Sequence, residues 1–344
     1  MSDLMPRIVE TLLTNGGEKI RRYFVCPQSG NGDARIWDRV SKGDQLTASK
    51  WIEKFKKKAD EKKLDHDEPW LTLVSMYGLC GDQADNNNPQ VLSAINEMFL
   101  SVFGYGPTQA HPPRFDELIG IHLELKVPEI RKYRRFLKEN VFKDGPYHLY
   151  PDRRRLLEEK LKEEEARLEG NTNFDILISG RSDERKIHVF IEAKFMSDIS
   201  KDITYVPARN QIARNIDCAI DLMTNGGENL SGLEDFWFVL LTPGIFRTER
   251  YGGPRLSPIA RFLPQRSRLF CYKMEDYLHP DFLRRDLPHW KDILETQHWT
   301  LISKRIGWLT YEDIGDVVVK KGTLVGESLE DFKEFFRDRC LFQQ

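Results

Sequence analysis

In the segment VFIEAKF, residues 189–195, a carboxylate and an ammonium stand two positions apart inside an apolar run, and another acid, Asp175, lies upstream in NFDILISG. Strand side chains alternate between faces, so Val189, Ile191, Ala193 and Phe195 share one side, and Phe190, Glu192 and Lys194 the other. On the preceding segment Phe174, Ile176 and Ile178 form an apolar face while Asp175 projects oppositely, so a hairpin register can bring Asp175 beside Glu192. Two carboxylates converging on a sheet repel each other unless a cation neutralises them. Mg²⁺ does this with one or two carboxylates, keeping its other positions for waters and phosphate oxygens. The chemistry expected is attack of an activated water on a phosphodiester, with Lys194 orienting or helping to deprotonate that water and offsetting transition-state charge.

The acid-x-Lys triplet has little weight by itself. Asp60-x-Lys62, Glu61-x-Lys63, Glu124-x-Lys126, Glu158-x-Lys160, Glu184-x-Lys186 and Asp331-x-Lys333 also fit it. Glu192 and Lys194 differ in their setting: an apolar strand, an upstream strand with its own Asp, and a following helix with polar residues. The main rival is FDELIGIHLELKV, residues 115–127, with Asp116, Glu124 and Lys126. Its Asp-to-Glu gap is too short for two strands and a turn.

The elements that must position these groups are legible as hydrophobic patterns. NFDILISG and KIHVFIEAKF, joined by the polar RSDER, read as a β-hairpin. A helix is expected from about Tyr205 to Met223, ending at Asn225-Gly226-Gly227, and then an apolar strand, DFWFVLLT. Upstream, PQVLSAINEMFLSVFGYG has helical periodicity and stops at Gly104. Residues 1–85 read as a separate, mostly helical region, with GDQADNNNP as linker. Its segment SKWIEKFKKKADEKK is strongly basic, which reads as a solvated helix face, with phosphate contact as the alternative. Between about 105 and 170 the pattern suggests a helical insertion, and residues 321–344 a C-terminal helical tail. RLFCYKMEDY and RIGWLTYEDI each combine a short strand with a helix start and can extend the sheet.

The order FDILISG, VFIEAKF, RNQIARNID resembles the PD-(D/E)XK nuclease superfamily, the restriction-endonuclease-like fold. The likeness spans roughly residues 89–243 and is sharpest over 173–217. It implies an α/β fold whose mixed central sheet is flanked by helices, with a core of helix, three strands, helix and strand, embedded in a nuclease domain over 86–320. It further implies Asp175, Glu192 and the Ala193 carbonyl as metal ligands, Lys194 as the catalytic lysine and Gln211 lining the site. Glu97 is the candidate for the acid that many members place on the helix ahead of the sheet. Arg214 and Asn215 follow on the same helix as DNA contacts. Arg268 and Lys273, in the basic and aromatic stretch 254–273, add a surface that can track phosphates. The activity implied is that of a Mg²⁺-dependent DNA endonuclease, with Mn²⁺ as a substitute, of restriction or phage-defence type. The alternatives are a catalytically silent nucleic-acid-binding or assembly module of the same fold, or a repair or RNA-directed nuclease. The partners expected are DNA and a second copy of the chain in a homodimer.

Bulk properties exclude several other classes. With 40% hydrophobic and 31% charged residues, the 344-residue chain reads as globular, and its formal net charge of −2 exerts no global pull on polyanions. No apolar run approaches the ~20 residues that cross a bilayer, and MSDLMPRIVE lacks signal-peptide character, so a cytoplasmic location without membrane partners is expected. The five scattered cysteines contain no CxxC pair, which points to neither a disulfide framework nor a thiolate zinc site. The eight histidines contain no HExxH spacing, and no phosphate loop, dinucleotide fingerprint or GxSxG elbow occurs.

Overall fold

In the computed structural model, the described residues are mainly 7–15, 48–61, 67–81, 88–102, 112–127, 130–140, 172–195, 211–244 and 286–339. Five strands form one sheet in sequence order: β1 (Glu117–Val127), β2 (Thr172–Ser182), β3 (Arg185–Ala193), β4 (Phe236–Thr242) and β5 (Ile306–Thr310). The hairpin expected from the sequence is present. β2 and β3 run antiparallel, with Ile176 opposite Ile191 and Ser179 opposite His188. Their two-residue turn places Asp183 and Glu184 at φ 47° and 66°, the left-handed pair that matches the twist of a tight hairpin. β1 pairs antiparallel with β2, whereas β4 and β5 continue from β3 in parallel. The result is a mixed sheet flanked by helices.

Among the described residues the longer helices are α1 (Ala48–Asp60), α2 (Glu68–Cys80), α3 (Pro89–Val102), α4 (Arg131–Asn140), α5 (Gln211–Met223), α6 (Gln297–Ser303), α7 (Tyr311–Lys321) and α8 (Gly326–Asp338). α2 begins with the Asp67 side chain accepting from the Trp70 N–H at 3.0 Å and has Pro69 in its first turn, both normal start signals. α7 begins with a reciprocal capping box between Thr310 and Asp313. α5 ends where Asn225, Gly226 and Gly227 take positive φ, as its Asn-Gly-Gly sequence leads one to expect.

All seven residues of β4 and the inner seven of β3, Ile187–Ala193, are buried. Parallel strands covered on both faces read as near-continuous apolar runs for this reason. Buried side chains from Ile8 to Leu341 belong to one hydrophobic cluster.

Three expectations about organisation change. The 105–170 range, expected as a helical insertion, supplies β1 as well as α4, because ELIGIHLELKV pairs along the length of β2. The described part of 1–85 is not separate in its packing. From Trp70 to Cys80 every residue of α2 is buried in the shared core. The C-terminal segment also joins this core: Gly78 of α2 leaves room for Phe332 of α8, whose ring an added Cβ would meet at 2.5 Å. Among the described residues no helix is long and apolar enough to cross a membrane.

Candidate active site at the ends of the central hairpin

The last aligned pair of the hairpin is Ile176 with Ile191, so the next residues outward are Asp175 and Glu192. The Ala193 N–H donates to Asp175 Oδ2 at 2.7 Å, tying the acid of β2 to the backbone of β3. Beyond Ala193 the chain stays attached to the sheet, since the Lys194 N–H donates to the Leu241 carbonyl at 2.8 Å. From that position the Lys194 ammonium reaches Glu192 Oε1 at 2.6 Å and the Ala193 carbonyl at 2.9 Å. Glu192 is 1% exposed and Lys194 4%.

α5 supplies further donors to the Glu192 carboxylate. Gln211 Nε2 donates to Oε1 at 2.6 Å, and Asn215 Nδ2 donates to Oε2. These two amides are four positions apart and therefore lie on one helical face. Each oxygen of Glu192 thus has an amide donor, which fixes the orientation of the group.

A further acid enters from α2. Glu68 Oε1 lies 3.4 Å from Lys194 Nζ, and Glu68 Oε2 accepts the Phe195 N–H at 2.8 Å. Glu68 is the first residue of α2, directly after the capping Asp67. It is this acid, and not Glu97, that joins Lys194. Glu97 does lie on α3, but it pairs with Lys320 and with Lys321 at 3.3 Å, both on α7.

The rival segment turns out to be a neighbour of the leading one. Leu123 opposes Ile176 and Leu125 opposes Phe174, so Glu124 and Asp175 stand between these two pairs. Glu124 has φ 55°, a strained value for a residue with a side chain, and its carboxyl lies in the same electrostatic environment as Glu68, Glu192 and Lys194. Asp116 sits at the turn end of the hairpin, where it accepts the Asp183 N–H.

The charges in this cluster do not balance. Burial first, and the neighbouring Glu192 second, hold the Asp175 carboxyl well above the usual carboxylate range. Burial also raises Glu192, with Lys194 and Asn215 opposing the shift. Glu124 is pushed up to about 7, chiefly by burial, with Glu68 and Glu192 adding and Lys54 opposing. Lys194 shows the reverse balance. Burial disfavours its charge, but Glu192, Glu68 and Asp175 outweigh it and hold the ammonium well above its ordinary value. In this arrangement Lys194 is the cationic partner of Glu192 and Glu68.

Of the other expected DNA contacts, Asn215 is 2% exposed and spends its amide on Glu192. Arg214 is partly exposed on α5, its charge acting on the buried Cys218 thiol. Arg268 and Lys273 lie outside the described residues. Two members of the cluster escaped the sequence reading. Glu68 carried only a helix-start signal, since nothing local indicates that Asp-Glu-Pro-Trp docks against residue 194. Glu124 was visible within an acid-x-Lys triplet, but as a competitor to Glu192.

The Asp175 and Glu192 carboxylates and the Ala193 carbonyl are all oxygen donors, the ligand type of a hard divalent cation. Four carboxyls, Glu68, Glu124, Asp175 and Glu192, act on one another here, and burial drives three of them toward the protonated form. Among the described residues no group of three or more His, Cys, Asp or Glu side chains is arranged to hold a metal ion. Mg²⁺ is typically held by one or two carboxylates. No family model, curated protein or solved structure matches the chain.

Proposed function

We propose that this chain is a divalent-metal-dependent nuclease of the restriction-endonuclease-like fold that hydrolyses DNA phosphodiester bonds. The observation that carries the reading is the meeting of Asp175 from β2 with Glu192 of β3 and with Lys194 just past the end of β3, backed by Gln211 on α5 and by Glu68 on α2. The run α3, β1, β2, β3, α5, β4, with α4 between β1 and β2, supports it by following the order helix, three strands, helix, strand.

Asp175, Glu192 and the Ala193 carbonyl would hold the cation, Mg²⁺ or Mn²⁺. When bound, the cation supplies a lowered water pKa and charge neutralisation at the phosphoryl group. The residues of the chain do the rest. Gln211 and Asn215 orient Glu192 by donating to its two oxygens. Lys194 contributes a buried positive charge, held against Glu192 and Glu68 and suited to stabilising the negative charge that develops on phosphoryl oxygens. Glu68 holds Phe195 and Lys194 and so keeps the ammonium at the strand end.

The test is incubation of the purified protein with plasmid, linear and single-stranded DNA, with Mg²⁺, with Mn²⁺ and with EDTA. Metal-dependent cleavage lost in Asp175→Asn and Lys194→Ala supports the reading. Cleavage that survives both substitutions contradicts the site assignment.

A further inference from the structure

The basic helix α1 borders the candidate site. Phe55 of α1 meets Trp70 of α2 edge to face at 5.0 Å, and Lys58 pairs with Asp67, the residue immediately before Glu68. Lys54 lies one turn away on the same face of α1, its ammonium 4.0 Å from the Trp51 ring centroid. Among the charges acting on the Glu124 carboxyl, Lys54 is the strongest, and Lys126, two residues along β1, acts on Lys54 in turn.

A single lysine on a helix is usually only a solvated group. Here Lys54 and Lys58 stand one turn apart on α1, and β1 adds Lys126 two residues from Glu124, in a chain whose formal net charge is only −2. A phosphodiester chain carries its own negative charge past Glu68 and Glu124, so its approach to Glu192 is repelled unless cations line the way. The half-buried lysine stems and the cation–π seat on Trp51 hold two of these charges near the sheet.

We infer that Lys54 and Lys126, beside the Lys58–Asp67 pair, form a phosphate-binding ledge that leads a nucleic-acid backbone into the Asp175–Glu192–Lys194 site. This rests on the nuclease reading and supplies it with a substrate path. Contacts of this kind fix position and register and carry no sequence information.

The test uses the full chain with a short labelled DNA duplex in EDTA, followed by fluorescence anisotropy at several salt concentrations. The double variant Lys54→Gln/Lys126→Gln leaves the Lys58–Asp67 pair in place. It should bind about tenfold more weakly, with the slope of log affinity against log salt reduced by about two, for any duplex sequence. Lys54→Arg/Lys126→Arg should retain both affinity and slope, which separates loss of charge from loss of fold. Lys320→Gln/Lys321→Gln, on α7, should bind as the unaltered protein does. If the Gln double variant binds within twofold and with an unchanged slope while the unaltered protein cleaves DNA, the ledge is refuted and the nuclease reading stands. Absence of both binding and cleavage by the unaltered protein overturns both.

Discussion

Lys194 Nζ stands 3.4 Å from Glu68 Oε1 although 126 positions separate the two residues. A helix start near the N-terminus thereby becomes part of the wall behind the central hairpin. Glu68→Gln should lower cleavage by about 10- to 100-fold, the usual cost of losing a group that supports a site. Glu97→Gln breaks an exposed contact with Lys320 and Lys321 and should leave cleavage within about twofold. Single-turnover rates for the two variants check this. A Glu68→Gln rate within about twofold of the unaltered protein would remove Glu68 from the site, and a larger loss in Glu97→Gln would restore Glu97 to it.

Lys194 is set directly against Glu192, with Glu68 beyond it. Lys194→Met keeps much of the side-chain volume and removes the charge, leaving a buried carboxylate without its ion-pair partner. Breaking a buried pair in this way costs about 3–5 kcal/mol, read by urea unfolding in EDTA, and cleavage should fall below detection. A variant as stable as the unaltered protein would show that Lys194 and Glu192 are not paired in solution.

Asn215 is expected to act through Glu192 and not through DNA. Asn215→Ala removes the amide on Oε2 and should slow cleavage by about 10- to 100-fold, while duplex affinity measured in EDTA stays the same. A loss of affinity with no change in the rate at saturating DNA would instead make Asn215 a substrate contact.

Glu124 predicts a pH dependence of the metal-free protein. Its folded-state value, about 7, lies above the ordinary carboxylate range. The folded chain therefore holds a proton that the unfolded chain releases, and stability falls as pH rises from about 4.5 through 7. Asp175 and Glu192 are shifted in the same direction and extend the decline upward. Lys194, held above its ordinary value, contributes throughout this range and does not reverse it. Unfolding midpoints between pH 5 and pH 8 should drop in the unaltered protein and drop less in Glu124→Gln. Identical profiles for the two would remove Glu124 from the cluster.

The hairpin, α5 and β4 were legible in the sequence because each carries its own pattern: alternating or continuous apolar residues, punctuated by Arg-Ser-Asp-Glu-Arg or Asn-Gly-Gly. The meeting of Asp175 with Glu192 followed from that pattern, since a hairpin makes pairing a local property. β1 was hidden because its 11 residues lie in a charged region, and its partner on β2 begins about 45 residues later in the chain. Glu68 was illegible for the same reason, as its contact with residue 194 depends on how α2 docks into the core. Lys54 and Lys58 could be seen as a basic helix face, but only the packing of Phe55 on Trp70 shows which surface that face borders.

The most direct measurement is cleavage of supercoiled plasmid by the unaltered protein and by Asp175→Asn, each with Mg²⁺ and with EDTA. The account predicts nicked or linear product only for the unaltered protein with Mg²⁺. Product from Asp175→Asn at the unaltered rate, or no product under any condition from a protein that binds DNA, would contradict it, the second result favouring a binding module of the same fold.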